Sequence, residues 1–386
     1  METRLELPYK KHLAFVSSKR FKLNSIFDFE SHYYSLKTGQ ANSSSVCFDS
    51  VDKIFSELIP QATNEREHLF LEDLKRHTLR LLNEDAEVFV KRGGQVQDSD
   101  TADYRIFEDQ KFLQGRISEE GVTKINRLTS ELVARFRENA RNGKTKRADL
   151  SQNTGIVVRR VVSLLNAEFK EVGILNVMSK YMGKEMCVSG LAIELSVPSA
   201  NWWKVDYQVY SQAPKTLYFH FDESIAHPKA IVYLTDVTEK TGATACSPNF
   251  IKNSNVTHLQ FLIGRAITCV GKDDNPRLKS FYDHKYHQTF GCPLFKGDFS
   301  ALPDELRFSS HFGWDVIPDS ELETFLLKDE QKIIGKAGTY IAFDGGLLLH
   351  RGGMIQEGDR VALQVVFGEK LPLYKKIKRK LKQLLK

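Results

Sequence analysis

KAIVYLTDVTEKTGATACSP, Lys229 to Pro248, is the stretch on which the fold turns. Its first part, Lys229 to Val237, is rich in β-branched and aromatic residues and reads as a strand. Thr238 to Gly242 is polar and ends in glycine, which turns the chain. Ala243 to Ser247 can then return as the strand's partner. Working outward, Ala337 to Phe343 and Arg360 to Phe367 read as two further strands. Upstream, Val188 to about Val205 and Leu217 to Phe221 are short β-prone runs. Between these groups, Ile251 to Leu327 carries many turn signals and aromatics without a clear period, and reads as a long insertion.

The N-terminal half has a different rhythm. Phe48 to Leu58 and Arg66 to Val90 place apolar residues at helical spacing, as in Leu71, Leu74, Leu79 and Leu82. Gly93 to Asp103 is polar and predicts a loop. From Ser118 to Ala140 the helical period resumes, with Ile125, Leu128, Leu132 and Phe136 on one face; Ser118 can cap its start and Gly143 its end. Lys144 to Ser151 is a charged connector, and Val157 to Tyr181 predicts one more helix. Helices first and short strands afterwards indicate an α+β fold with an antiparallel sandwich or barrel packed by helices. The segments expected are a helical N-terminal extension (1–110), a β-rich domain (111–370) with the insertion at 251–327, and a basic amphipathic tail (371–386).

The chain has 386 residues, 41% hydrophobic and 27% charged, so it can bury a sizeable core. It shows no apolar run long enough to span a bilayer and no signal-peptide pattern. The five cysteines, Cys47, Cys187, Cys246, Cys269 and Cys292, are widely spaced and form no CxxC pair. A reducing, cytoplasmic setting is the simplest reading. Of the net charge of +6, the last sixteen residues contribute seven basic groups and no acidic one, and taking these away leaves −1. A nearly neutral body argues against a broad nucleic-acid face. In the tail, Leu373, Ile377, Leu381 and Leu384 fall on one helical stripe among lysines, a pattern suited to the surface of an anionic membrane. A frayed, solvated terminus is the alternative.

The candidate chemistry lies in three places. In His220-Phe221-Asp222, residues two apart on a strand share a face, so an imidazole and a carboxylate can reach one pocket. His220 alone could equally be a satisfied histidine on a half-buried strand. His350 follows the apolar run Leu347-Leu348-Leu349 and precedes Arg351-Gly352-Gly353. Two imidazoles and one carboxylate make a facial triad that leaves coordination positions of iron(II) open. Ten residues on, Arg360 heads a strand, where its guanidinium fork can grip a carboxylate in bidentate fashion.

In YFHFDE (Tyr218 to Glu223), Lys229 to Pro248, and LLLHRGGMIQEGDRVALQVVF (Leu347 to Phe367), the sequence resembles the phytanoyl-CoA dioxygenase-like family of Fe(II)/2-oxoglutarate-dependent oxygenases. The resemblance covers roughly Gly115 to Gly368. It implies a double-stranded β-helix (jelly-roll, cupin-like) core with flanking helices, iron on His220, Asp222 and His350, and 2-oxoglutarate on Arg360. Lys229 is similar to a strand-start position that contacts 2-oxoglutarate in some members. The implied reaction consumes O2, releases succinate and CO2, and hydroxylates a small or lipid-linked metabolite. Halogenating relatives replace the carboxylate with a small residue, so Asp222 points to hydroxylation. The chain departs from the family at the usual Pro-Gly-Ser-His turn, which is Ser247-Pro248-Asn249-Phe250 here, and the gap between Asp222 and His350 looks long.

A second cluster, Asp283, His284 and His287, has no helix to align it and reads as a surface or substrate-contact group. His227 reads as a solvated loop residue, and Trp202 and Trp203 as core. Two other functions fit the same residues: a metal-dependent hydrolase or isomerase, which gives Arg360 no task, and a non-catalytic, membrane-tethered binding module, against which the intact triad speaks.

Overall fold

The computed structural model describes residues 20–24, 28–38, 43–93, 101–142, 155–198, 219–271, 275–282, 292–308, 311–312, 321–353 and 355–370. Three helices come first: α1 (Phe29–Lys37), α2 (Ser43–Leu58) and α3 (Glu65–Gly93). Then come α4 (Ala102–Gln110), β1 (Phe112–Arg116), α5 (Glu119–Arg141), α6 (Gly155–Glu171), α7 (Ile174–Met182) and β2 (Met186–Ser196). Three strands follow, β3 (Phe219–His220), β4 (Lys229–Tyr233) and β5 (Thr244–Ser247). The next stretch holds α8 (Phe250–Asn253), α9 (His258–Ile267), α10 (Pro276–Phe281), α11 (Pro293–Ala301), β6 (His311–Phe312) and α12 (Glu321–Leu327). The chain closes with β7 (Gln331–Ile333), β8 (Thr339–Phe343), β9 (Leu349–Arg351) and β10 (Arg360–Glu369).

Local chemistry sets several of these boundaries. Ser118 caps α5 by accepting a hydrogen bond from the Gly121 amide, and Glu119 and Glu120 sit in the first turn, where the helix dipole favours them. The single helix expected from Val157 to Tyr181 is two. Gly173, at φ +79, breaks the ladder between α6 and α7, in a region glycine enters without a Cβ clash. Helix α4 begins inside the loop expected at Gly93 to Asp103, with Thr101 accepting from the Tyr104 amide. A polar stretch hid its cap.

The strands form two antiparallel sheets, ordered β1-β8-β4-β10-β2 and β6-β3-β9-β5-β7. In the first sheet alternate residues point opposite ways. Ala230, Val232, Tyr340, Ala342, Val361, Leu363 and Val365 pack with residues of α5, α6 and α7. Ile231, Tyr233, Ile341, Phe343 and Ala362 face inward and meet Cys246 and Leu348 of the second-sheet side. Both faces are covered, which is why β10 reads as a nearly continuous apolar run. The far side of the second sheet contributes Phe219 and Leu349 to a core shared with α1–α3 and α8–α12. The result is an α+β fold whose centre is a double-stranded β-helix.

The expected strand partner is corrected. Ala243 to Ser247 does not return beside Lys229 to Val237: β4 pairs with β8 and β10, while β5 pairs with β7 and β9 in the opposite sheet. The turn at Gly242 (φ +85) therefore carries the chain from one sheet to the other. The segment 251–327, where the sequence showed no clear period, is largely helical in its described residues. Its main helix, α9, is buried at Leu262, Ile263, Gly264, Arg265, Ala266 and Ile267. The insertion and the N-terminal helices share one core; Phe70 of α3, for example, meets Phe295 of α11 edge-on at 6.0 Å.

Among the described residues no helix is long and apolar enough to cross a membrane. The basic tail, Trp202 and Trp203, and the Asp283, His284 and His287 cluster lie outside the described residues.

Candidate metal centre

His220 and His350 are directly opposite each other in the β3/β9 pairing. Opposed residues of an antiparallel pair project to the same face, so the two imidazoles lie side by side with ring centroids 4.3 Å apart. Asp222 arrives differently from the way strand periodicity suggests. Strand β3 stops at His220, and Asp222 sits in the loop beyond it, its amide donating to the Gly345 carbonyl at 2.8 Å. Its Oδ1 is 3.9 Å from His220 Nε2 and 3.8 Å from His350 Nε2. One ligand atom from each of the three residues fits within a 4.8 Å span, a grouping able to hold a metal ion.

The protonation states suit a divalent cation. His350 Nδ1 lies 2.9 Å from the Leu348 carbonyl, which can only accept, so the proton sits on Nδ1 and the Nε2 lone pair faces Asp222. Burial, then His220 and Lys229, keep the His350 imidazole well below its usual range, and so neutral. For Asp222, burial would raise the carboxyl. Lys229 and the two imidazoles outweigh it and hold the group well below the usual carboxylate range, and so anionic. Two imidazoles and one carboxylate are a borderline-to-hard donor set that suits Fe(II) or a similar first-row ion.

Lys229, expected beside the co-substrate, stands at the start of β4 with its ammonium 2.6 Å from Asp222 Oδ2 and 5.1 Å from the centre of the Phe343 ring. Phe343 in turn packs edge-on against His350 at 4.8 Å. Arg360 opens β10, on the first sheet, and is 6% exposed. It donates to the Gly242 carbonyl, and its Nε has no partner among the described residues. Opposite it in register is Ser196, whose buried Oγ is also without a partner among the described residues. Arg360 and Ser196 share the face of Ala362, which looks into the interior. A buried guanidinium and a hydroxyl with unspent hydrogen bonds fit the oxygens of a carboxylate. His227 is exposed, as a loop residue should be.

Several residues near the centre carried no motif. A Cβ on Gly345 would lie 1.9 Å from Asp222 Oδ2 and 3.0 Å from His350 Cε1, so only glycine fits there. Asp344, fully buried, accepts from the Tyr181 hydroxyl at 2.5 Å, the Ala226 amide at 2.7 Å and the Gly346 amide at 3.1 Å. The Gly345-Gly346 pair four residues before His350 was a legible sign of close backbone approach. Cys246 is opposite His350 in the β5/β9 register, but burial, with Glu330, pushes its thiol up to about 12, so it remains a neutral thiol beside the centre.

No family model matches the chain, and no curated protein matches it. Among solved structures it is similar to the non-heme alpha ketoglutarate dependent carbocyclase SnoK from nogalamycin biosynthesis (13% identity, 70% of this chain and 85% of that one, TM-score 0.35). It is also similar to EctD from S. alaskensis with 2-oxoglutarate and 5-hydroxyectoine (11% identity, 71% and 78%, TM-score 0.38). A third is HygX from Streptomyces hygroscopicus with nickel and 2-oxoglutarate bound (12% identity, 71% and 88%, TM-score 0.33). Likenesses of this size establish neither family nor activity.

Proposed function

We propose that the chain is an Fe(II)- and 2-oxoglutarate-dependent oxygenase of the phytanoyl-CoA dioxygenase-like kind, hydroxylating a small or lipid-linked metabolite. The observation that carries the reading is a pairing across one interior. His220, Asp222 and His350 gather on one side of it, and the buried Arg360, with an unspent Nε, opens the facing strand β10. A hydrolase or isomerase using the same triad leaves that guanidinium without a task.

When bound, iron would activate dioxygen, the oxidant, with 2-oxoglutarate as the co-reductant, one oxygen atom going to succinate and the other to the hydroxylated product as CO2 leaves. The chain's own residues bind and orient. His220 and His350 would offer imidazole nitrogens, and Asp222 the anion that neutralises part of the metal charge. Arg360, with the Ser196 hydroxyl beside it, would hold the distal carboxylate of 2-oxoglutarate. Lys229 keeps Asp222 ionised before a metal arrives. Phe343 covers one flank of His350 and keeps water from it.

Calorimetric titration of the Mn(II)-loaded protein with 2-oxoglutarate and with 2-oxobutyrate, which lacks the distal carboxylate, tests this reading. The wild type should bind 2-oxoglutarate far more tightly, and Arg360→Met should erase the preference. Equal binding of both acids by the wild type would contradict it. The basic tail at 371–386 is proposed to rest on anionic membrane. Co-sedimentation with phosphatidylserine vesicles should be lost when it is removed, and equal pelleting of both forms would dismiss the idea.

A further inference from the structure

Asp222 is the one carboxylate of the triad, and little in its own strand holds it. Strand β3 ends at His220, before it. The loop that follows, Asp222 to Ala226, contains a non-glycine residue in the left-handed region, Ala226 at φ +56. Such a conformation persists only where its surroundings impose it.

Those surroundings come largely from the helices. Arg80 of α3 donates to the Glu223 carboxylate at 2.6 Å, and Ser224 Oγ donates to Glu84, one turn further along the same helix, at 2.8 Å. From α9, Arg265 donates to the Glu223 carbonyl at 3.3 Å. Arg265 is itself locked: its guanidinium pairs with Asp85 of α3, both side chains fully buried, and Asp85 accepts from the Tyr33 hydroxyl at 2.6 Å. Asp344 holds the far end of the loop through the Ala226 amide. These contacts converge on the five residues that place the metal carboxylate, and they join helices from the N-terminal extension and the insertion.

We infer that α3 and α9 form a clamp that sets the position of Asp222, with Arg80 and Arg265 as positioning residues acting through Glu223. The inference rests on the metal-site reading above. It gives the two helical regions a part in the chemistry although neither supplies a ligand. Arg80, Glu84 and Glu223 are each about one-third exposed, so loosening their contacts costs the fold little while freeing the loop. Arg265, by contrast, cannot be truncated without stranding the buried Asp85.

The test is therefore made on Arg80, with Co(II) alone as the probe. Arg80→Gln should weaken Co(II) binding by about 10-fold, the lower end of the range for groups that orient metal ligands. It should also alter the visible Co(II) spectrum while the melting temperature of the metal-free protein stays at the wild-type value. Arg80→Lys, which keeps a cation for Glu223, should recover most of the affinity. Lys75→Gln removes a comparable α3 ion pair that faces Asp52 instead, and should change nothing. Wild-type affinity and spectrum in Arg80→Gln, or a loss matched by an equal fall in melting temperature, would overturn the clamp. A wild type that fails to bind Co(II) would instead overturn the metal reading, and the clamp with it.

Discussion

Strand β10 is ten residues long and hydrogen-bonded on both sides, to β2 and to β4, whereas β3 ends at His220, short of Asp222, and among its described residues meets β9 through the pair His220 and His350. Both face the same interior and both carry candidate functional groups. The long strand fixes Arg360 through its own ladder and through the apolar side chains Val361, Leu363 and Val365, which anchor it to the helices behind. No ladder does this for Asp222, which lies past the end of β3. Its loop is contacted instead by Gly345, Asp344, Arg80 and Arg265, which belong to other elements. Precision in the first sheet follows from regular secondary structure; in the second it follows from polar contacts made from outside.

This contrast can be broken at either end. The largest effect is expected from Asp222→Ala, which removes a ligand and not merely a support. Metal affinity should fall by more than about 100-fold, the upper range for supporting groups, in a direct Co(II) or Mn(II) titration. An affinity near the wild type's would mean that the metal does not sit there. On the other sheet, Leu363→Ala deletes a fully buried side chain and should cost about 2–5 kcal/mol in denaturant unfolding, while the folded protein keeps its metal affinity. A parallel loss of metal affinity would show that the two sheets are not independent in this way.

The smallest expected effect is in pH. His350 is kept neutral in the fold, below its ordinary value of 6.5, so the unfolded chain takes up a proton there that the native chain refuses. Its contribution to stability is therefore complete above pH 6.5 and shrinks as pH falls below it. Asp222, with its carboxyl depressed from 3.8, adds to the loss only below that pH. The melting temperature of the metal-free protein should decline from about pH 7.5 to about pH 5, and His350→Gln should flatten much of that decline. An unchanged slope would mean that the imidazole is not titrating as its burial requires.

The same contrast explains what the sequence revealed. The β10 segment announces itself because a strand covered on both faces is apolar throughout, and Arg360 stands out at its head. His220, Asp222 and His350 were legible as a set because their residue types match one donor geometry, although the reason assumed for Asp222 was incomplete: it lies past the strand's end. The crossing of β5 into the opposite sheet was hidden because a strand-turn-strand pattern does not say which neighbours the second strand will find. The helices of 251–327 were hidden because they are short, as α8, α10 and α12 are at four, six and seven residues, and leave little room for a period to show. Arg265, Asp85 and Asp344 had no local signature either, since each meets its partners only through tertiary contacts: Arg265 and Asp85 are 180 residues apart.

The central claim, that one interior holds iron on the second sheet's side and 2-oxoglutarate from the first, is most directly tested by anaerobic titration of the protein with Fe(II) and then 2-oxoglutarate, watching for the weak visible charge-transfer absorption of their chelate. The band should appear in the wild type at one equivalent of each, and should be absent in Asp222→Ala. No band in the wild type, or the same band in Asp222→Ala, would contradict the account.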